Sequence, residues 1–135
     1  MEKKRAATTL GPSRDASLIY VVDDNAALAE YATTVLEMAG YEVRGFSDPK
    51  EVLRAMRESA RKPELLVTDF DMGDINGVQL IQSSHEIHPS LKTVLVSGTI
   101  DDGIVSRHPD DIHRFLGKPY KPPQLAGLVA ELLGG

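Results

Sequence analysis

Two short apolar runs that end on aspartate constrain this 135-residue chain more than any other feature. Leu18-Ile19-Tyr20-Val21-Val22 stops abruptly at Asp23-Asp24, and Leu65-Leu66-Val67-Thr68 stops at Asp69. A run without polar alternation suits a strand covered on both faces, as in a parallel sheet flanked by helices. Carboxylates ending such strands repel one another and resist desolvation, so gathering three at one pole requires a cation.

Between and after these runs the pattern alternates strand with helix. Asn25 can cap a helix that carries Leu28, Tyr31, Ala32, Val35, Leu36 and Ala39 at helical spacing, with Gly40 placed to stop it. Tyr41 to Phe46 reads as a second strand. Asp48-Pro49-Lys50-Glu51 then offers a cap, a proline at the first helical position and a glutamate three residues after the cap. That helix runs through Val52, Leu53 and Met56 towards Ala60. A helix with Val78, Leu80, Ile81 and Ile87 follows Gly77. Thr93 to Val96 gives a fourth strand, Phe115-Leu116 a short fifth, and Gln124 to Leu133 a last helix led by Pro122 and Pro123. Strand and helix alternating five times predict one α/β domain: a doubly wound parallel sheet with helices on both faces. In such sheets a ligand lies beyond the carboxyl ends of the strands, where strand order reverses.

Composition narrows the function. With no cysteine, a disulfide scaffold, a thiolate zinc site and a cysteine nucleophile are excluded. The net charge is −5, which disfavours direct nucleic-acid binding. Lys3, Lys4, Arg5 and Arg14 against Glu2 and Asp15 leave the first fifteen residues at +2, so the remainder carries −7. Residues 1–16 read as a flexible polar extension and 17–135 as the domain. No apolar run approaches the roughly 20 residues that span a bilayer, so no membrane is expected and a cytoplasmic location is.

The residues at the predicted strand ends form a chemical set. Asp23 and Asp24 follow the first strand, Asp69 the third, Ser97 ends the fourth and Lys118 follows the fifth. An all-oxygen site open to water suits Mg²⁺, which keeps waters and leaves room for a phosphate oxygen. Lys118 offers a compact charge for gripping a phosphate, and Ser97 can hydrogen-bond another oxygen. A carboxylate nucleophile, a metal, a lysine and a hydroxyl are what phosphoryl transfer to aspartate requires. His85 and His88, three apart on a helix, could share a metal face, but with no third ligand in view they read as solvated surface histidines.

From Ser17 to Leu133 the chain resembles the receiver domain of two-component response regulators, the CheY-like superfamily. Carrying the resemblance are Asp23-Asp24, Val67-Thr68-Asp69-Phe70-Asp71-Met72, Gly77, Ser97-Gly98 and Lys118-Pro119. It implies a flavodoxin-like strand order 2-1-3-4-5. Asp69 would accept a phosphoryl group from a histidine kinase or a histidine phosphotransfer protein. Asp23, Asp24, Asp69 and the backbone carbonyl of Asp71 would hold Mg²⁺. Ser97 and Lys118 would contact the phosphoryl oxygens, Phe115 would turn inward as a switch, and the Lys118–Pro119 bond would be cis. Asp71 and Thr99 would tune how fast the phosphate is lost. Such a domain catalyses its own phosphorylation and dephosphorylation without turning over an external substrate, and its output goes to a downstream protein or to onward phosphotransfer.

Two other readings compete. One is a receiver-like module that binds a protein partner without phosphate. The other is a metal-dependent phosphatase with an aspartate nucleophile, for which Asp71 would be the acid–base group but the inserted cap is missing. The chain also departs from the family pattern. Gly73 stands where proline is common, which reads as a looser loop beside Asp69. Between Ser97 and Lys118, His108-Pro109 intervenes and Asp110-Asp111-Ile112-His113-Arg114 replaces a Gly-Ala approach, so the fourth helix is expected to be short, shifted or irregular.

Overall fold

The computed structural model describes residues 16–98 and 102–134. The expected extension therefore lies, save Ala16, outside the described residues, and so does Thr99. Five strands alternate with five helices: β1 (Leu18–Val22), α1 (Ala26–Met38), β2 (Glu42–Phe46), α2 (Pro49–Glu58), β3 (Leu65–Asp69), α3 (Gly77–Ile87), β4 (Lys92–Ser97), α4 (Asp102–Arg107), β5 (Arg114–Gly117) and α5 (Pro122–Leu133). All strand pairs are parallel, in the order β2-β1-β3-β4-β5. The register places Ile19 beside Leu65 and Val67 beside Val94.

Two cores follow from the pleat, because successive residues of a strand face opposite sides. Leu18, Tyr20 and Val22 of β1 pack with Leu66, Leu95, Met56 and Ile81 beneath α2 and α3. Ile19 and Val21 pack with Leu65, Leu36, Leu125 and Val129 beneath α1 and α5. Every residue of β1 and β3 is buried, as their unbroken apolar runs require. Each fully hidden leucine or isoleucine contributes about 1.5–3 kcal/mol.

Helix ends are set by local chemistry. The Asn25 side chain accepts the N–H groups of Ala27 and Leu28, capping α1. At the other end the Tyr41 N–H returns to the Leu36 carbonyl, which is why β2 starts at Glu42 rather than Tyr41. Asp48 caps α2 through the Lys50 N–H, yet Glu51 does not reach back to close a capping box. Its carboxylate instead takes Arg54 at 3.1 Å. The capping box occurs at α3, where Asn76 and Gln79 satisfy each other's backbone N–H groups at 2.9 Å. The fourth helix is six residues long, shorter than its neighbours, and His108-Pro109 ends it.

Candidate functional site

The chain leaves β1 towards β2 on one side of the sheet, while β3, β4 and β5 lie on the other. The crevice at this reversal is where the carboxyl ends of β1 and β3 meet. Asp23 follows β1 and Asp69 ends β3. Both are buried, at 7% and 8% exposure, while Asp24 stays exposed. These three carboxylates can each place an oxygen within 4.8 Å of the others.

Lys118 closes the set from the end of β5. Its Nζ donates to Asp23 Oδ2 and pairs with Asp69 Oδ1, both at 2.9 Å. The second oxygen of Asp23 accepts the Asn25 N–H at 2.9 Å, so the residue that opens the crevice also fixes the start of α1. The Lys118 N–H bonds the Ser97 carbonyl, and the Lys118–Pro119 peptide is cis, as the resemblance implied.

Electrostatics follow from this packing. Burial pushes the Asp69 carboxyl above its usual range; the bond and charge of Lys118 oppose the shift, and Asp23 and Asp24 add to it. For Lys118, burial alone would lower the ammonium's pKa, but its bonds to Asp23 and Asp69 and their charges outweigh burial and raise it. One ammonium thus offsets a cluster of carboxylates. Hard carboxylate oxygens in a crevice open to water on the Asp24 side fit a small divalent cation such as Mg²⁺.

The backbone beside Asp69 is shaped by two glycines. A β-carbon at Gly77 would stand 2.5 Å from the Asp69 carbonyl oxygen and 3.1 Å from the Phe70 Cα, so only glycine lets α3 begin this close. Gly73 has φ +79°, a left-handed conformation that proline cannot adopt. Ser97 is buried at the end of β4, Asp71 is exposed, and Phe115 is half-buried against the α2–α3 core. Thus Asp23, Asp24, Asp69 and Lys118 come together, Ser97 ends the neighbouring strand, and Phe115 packs on the α2–α3 side of β5.

Sequence reasoning missed one part of the site. A cavity of about 470 Å³ opens from Asp69 and Lys118 along α1, walled by Leu28, Tyr31, Val96 and Tyr120. Leu28 and Tyr31, which share the helical spacing of the apolar residues of α1, are each 40% exposed. Helical spacing identifies an apolar face without saying how far its neighbours cover it, and here the β5–α5 turn leaves the first turns of α1 open. The rings of Tyr31 and Tyr120 meet at a tilt with centroids 5.8 Å apart, and burial beside Tyr31 pushes the pKa of the Tyr120 hydroxyl up to about 12.

A doubly wound parallel sheet with an acidic, lysine-bridged pole is the arrangement that the resemblance to receiver domains implies. The chain belongs to the response regulator receiver domain family, whose model matches residues 19–130. It is 30% identical over 133 residues to the sensor kinase CckA of Brucella abortus, covering 98% of this chain and 14% of that protein. With the transcriptional regulator NtrC of Escherichia coli K12 it shares 26% over 113 residues, or 83% of this chain and 24% of that one. The chain therefore spans a quarter or less of these relatives' length. Among solved structures, a receiver protein from Sinorhizobium medicae superposes with a TM-score of 0.79 at 29% identity, covering 91% of this chain and 98% of that one. A CheY-like receiver domain from Methanospirillum hungatei gives 0.81 at 24%, over 89% and 95%.

Proposed function

We propose that this receiver is a phosphorylation switch in which Asp69 takes a phosphoryl group from a phosphohistidine. An Asp69 carboxylate oxygen attacks phosphorus, the bond to the donor's ring nitrogen breaks with its electron pair going to that nitrogen, and an acyl phosphate remains on Asp69. Asp23, Asp24, Asp69 and the Asp71 carbonyl would hold Mg²⁺, which when bound neutralises the negative charge gathered around the transferring group. Lys118 trades its bond to Asp69 Oδ1 for a phosphoryl oxygen, and Ser97 bonds another. Phe115 follows Ser97 inward, while Asp71 and Thr99 govern access of the water that removes the phosphate. Only a population shift between two states of the domain is needed for output.

The observation that carries this reading is the Lys118 ammonium held 2.9 Å from both Asp23 and Asp69 among three carboxylates. The donor must reach Asp69, and the way in passes the apolar cavity along α1. A helix of a histidine kinase or histidine phosphotransfer protein, bearing the phosphohistidine beside an apolar flank, fits there against Leu28 and Tyr31. The match to a sensor kinase across 98% of the chain supports a place in a histidine-to-aspartate relay. The acidic balance favours a protein over a nucleic acid as the downstream target. None of the described helices is long and apolar enough to cross a membrane, and we place the domain in the cytoplasm with its donor. Incubation with a radiolabelled phosphohistidine domain tests this: label should move to the wild-type chain and not to Asp69→Asn. Transfer to Asp69→Asn at the wild-type rate would overturn the assignment.

A further inference from the structure

At the opposite pole of the sheet lies a cluster that the phosphoryl chemistry does not use. His85, near the end of α3, is half-buried rather than solvated as expected, and both its ring nitrogens face acceptors. Nε2 is 2.9 Å from the Leu91 carbonyl oxygen and Nδ1 is 3.2 Å from Asp111 Oδ1. A neutral imidazole has one N–H and can serve only one of them; the protonated ring serves both. His113 shows the reverse requirement. Its Nδ1 accepts the backbone N–H of Thr93 at 3.1 Å, which only the neutral ring can do.

Both histidines hold the same segment. The loop from His108 to His113 carries Asp111, whose carbonyl accepts the Thr93 hydroxyl, and the His113 N–H returns to the Thr93 carbonyl at 3.2 Å. The amides of Asp111 and Ile112 both bond the His108 carbonyl, and the Ile112 side chain is buried in the α2–α3 core, so undocking the turn would expose both amides to water. Around the pair stand His108, 3.8 Å from Asp111 Oδ2, then Lys92 at the start of β4 and Arg114 at the start of β5. Glu86 and His88 are the titratable neighbours along α3. The rings of His85 and His113 meet edge-on at 6.3 Å, close enough for each charge to oppose the other.

We propose that His85 and Asp111 form a proton-operated latch that fastens the α4–β5 connection to α3, closed when His85 is imidazolium and opened when that proton leaves. The cationic ring makes a charge-assisted bond to Asp111 while satisfying the Leu91 carbonyl; the neutral ring must abandon one of them. Burial and the charge of His85 hold the His113 pKa below its ordinary value, which keeps His113 in its accepting form while His85 is charged. The latch is independent of whether Asp69 accepts phosphate. It fastens the connection that follows α4, the stretch in which this chain departs most from the family pattern, to the body of the fold.

The test follows ring nitrogen shifts of His85 in the isotopically labelled full chain between about pH 5 and 9, with backbone amide exchange over the same range. His85 should be imidazolium at the acid end. Where it loses its proton, protection of the Asp111 and Ile112 amides, corrected for intrinsic base catalysis, should fall by about tenfold or more. Asp111→Asn should move the His85 transition to lower pH, and His85→Gln should remove the step in protection. A His85 ring that is neutral throughout, or amide protection indifferent to its titration, would overturn the proposal. Should His85→Gln fail to fold, the wild-type titration alone decides.

Discussion

An ammonium 2.9 Å from each of two buried carboxylates does electrostatically what a divalent cation would do in the same crevice. Removing it leaves Asp23, Asp24 and Asp69 uncompensated. Lys118→Gln should therefore cost about 1–3 kcal/mol of stability without Mg²⁺, below the usual penalty for breaking a buried pair because the ammonium is partly exposed. Most of that loss should return when Mg²⁺ is added, which urea unfolding with and without the ion measures. An equal loss in both conditions would separate the lysine from the proposed metal site. Gly77 acts on the same site through the backbone. Gly77→Ala should destabilise by about 1–3 kcal/mol, because Leu95 could shift away from the added methyl group but the backbone at the Asp69 carbonyl, 2.5 Å away, and at the Phe70 Cα cannot do so cheaply. Gly127, exposed in α5 with nothing within 4 Å of its notional β-carbon, is the control. There the change to alanine should stabilise by up to about 1 kcal/mol.

Among the elements, β4 and β5 are tied at their far ends by a neutral histidine. Burial first, then the charges of His85, Lys92 and Arg114, lower the His113 pKa below 6.5, with Asp111 pulling weakly the other way. On acidification the unfolded chain takes this proton before the folded one. The contribution is whole above pH 6.5 and is lost as the pH falls from there toward the lower folded value. The melting temperature of the wild type relative to His113→Gln should accordingly shrink on acidification; parallel curves would exclude His113 as the group responsible. Elements of this kind also mark where the sequence could and could not be read. Strands β1 and β3, the Asn25 cap and the short α4 were legible because run length, capping chemistry and the proline of His108-Pro109 act over a few residues. Asp23, Asp69 and Lys118 were legible because strand ends in a parallel sheet converge. Bonding between His85 and Asp111, 26 residues apart, and the clearance at Gly77 depend on tertiary approach, which no local pattern encodes. The open face of α1 at Leu28 and Tyr31 escaped for the same reason.

On the scale of the whole molecule, a parallel sheet separates two poles with different chemistry. One gathers carboxylates, a lysine and an apolar approach around Asp69; the other holds histidines that fasten the α4–β5 connection. Ser97 and Lys118 bond each other beside Asp69, and Asp111, within the segment that joins them, is held to His85 at the opposite pole. As proposed, Asp69 is a phosphoacceptor that needs the acidic cluster loaded with metal. Intact mass after incubation with acetyl phosphate, with and without Mg²⁺ and beside Asp69→Ala, tests that claim most directly. The wild type should gain one phosphoryl group, only with Mg²⁺, and the variant none. A gain that survives in Asp69→Ala, or an unmodified wild type that also takes no label from a phosphohistidine donor, would contradict it and favour a module that binds its partner without phosphate.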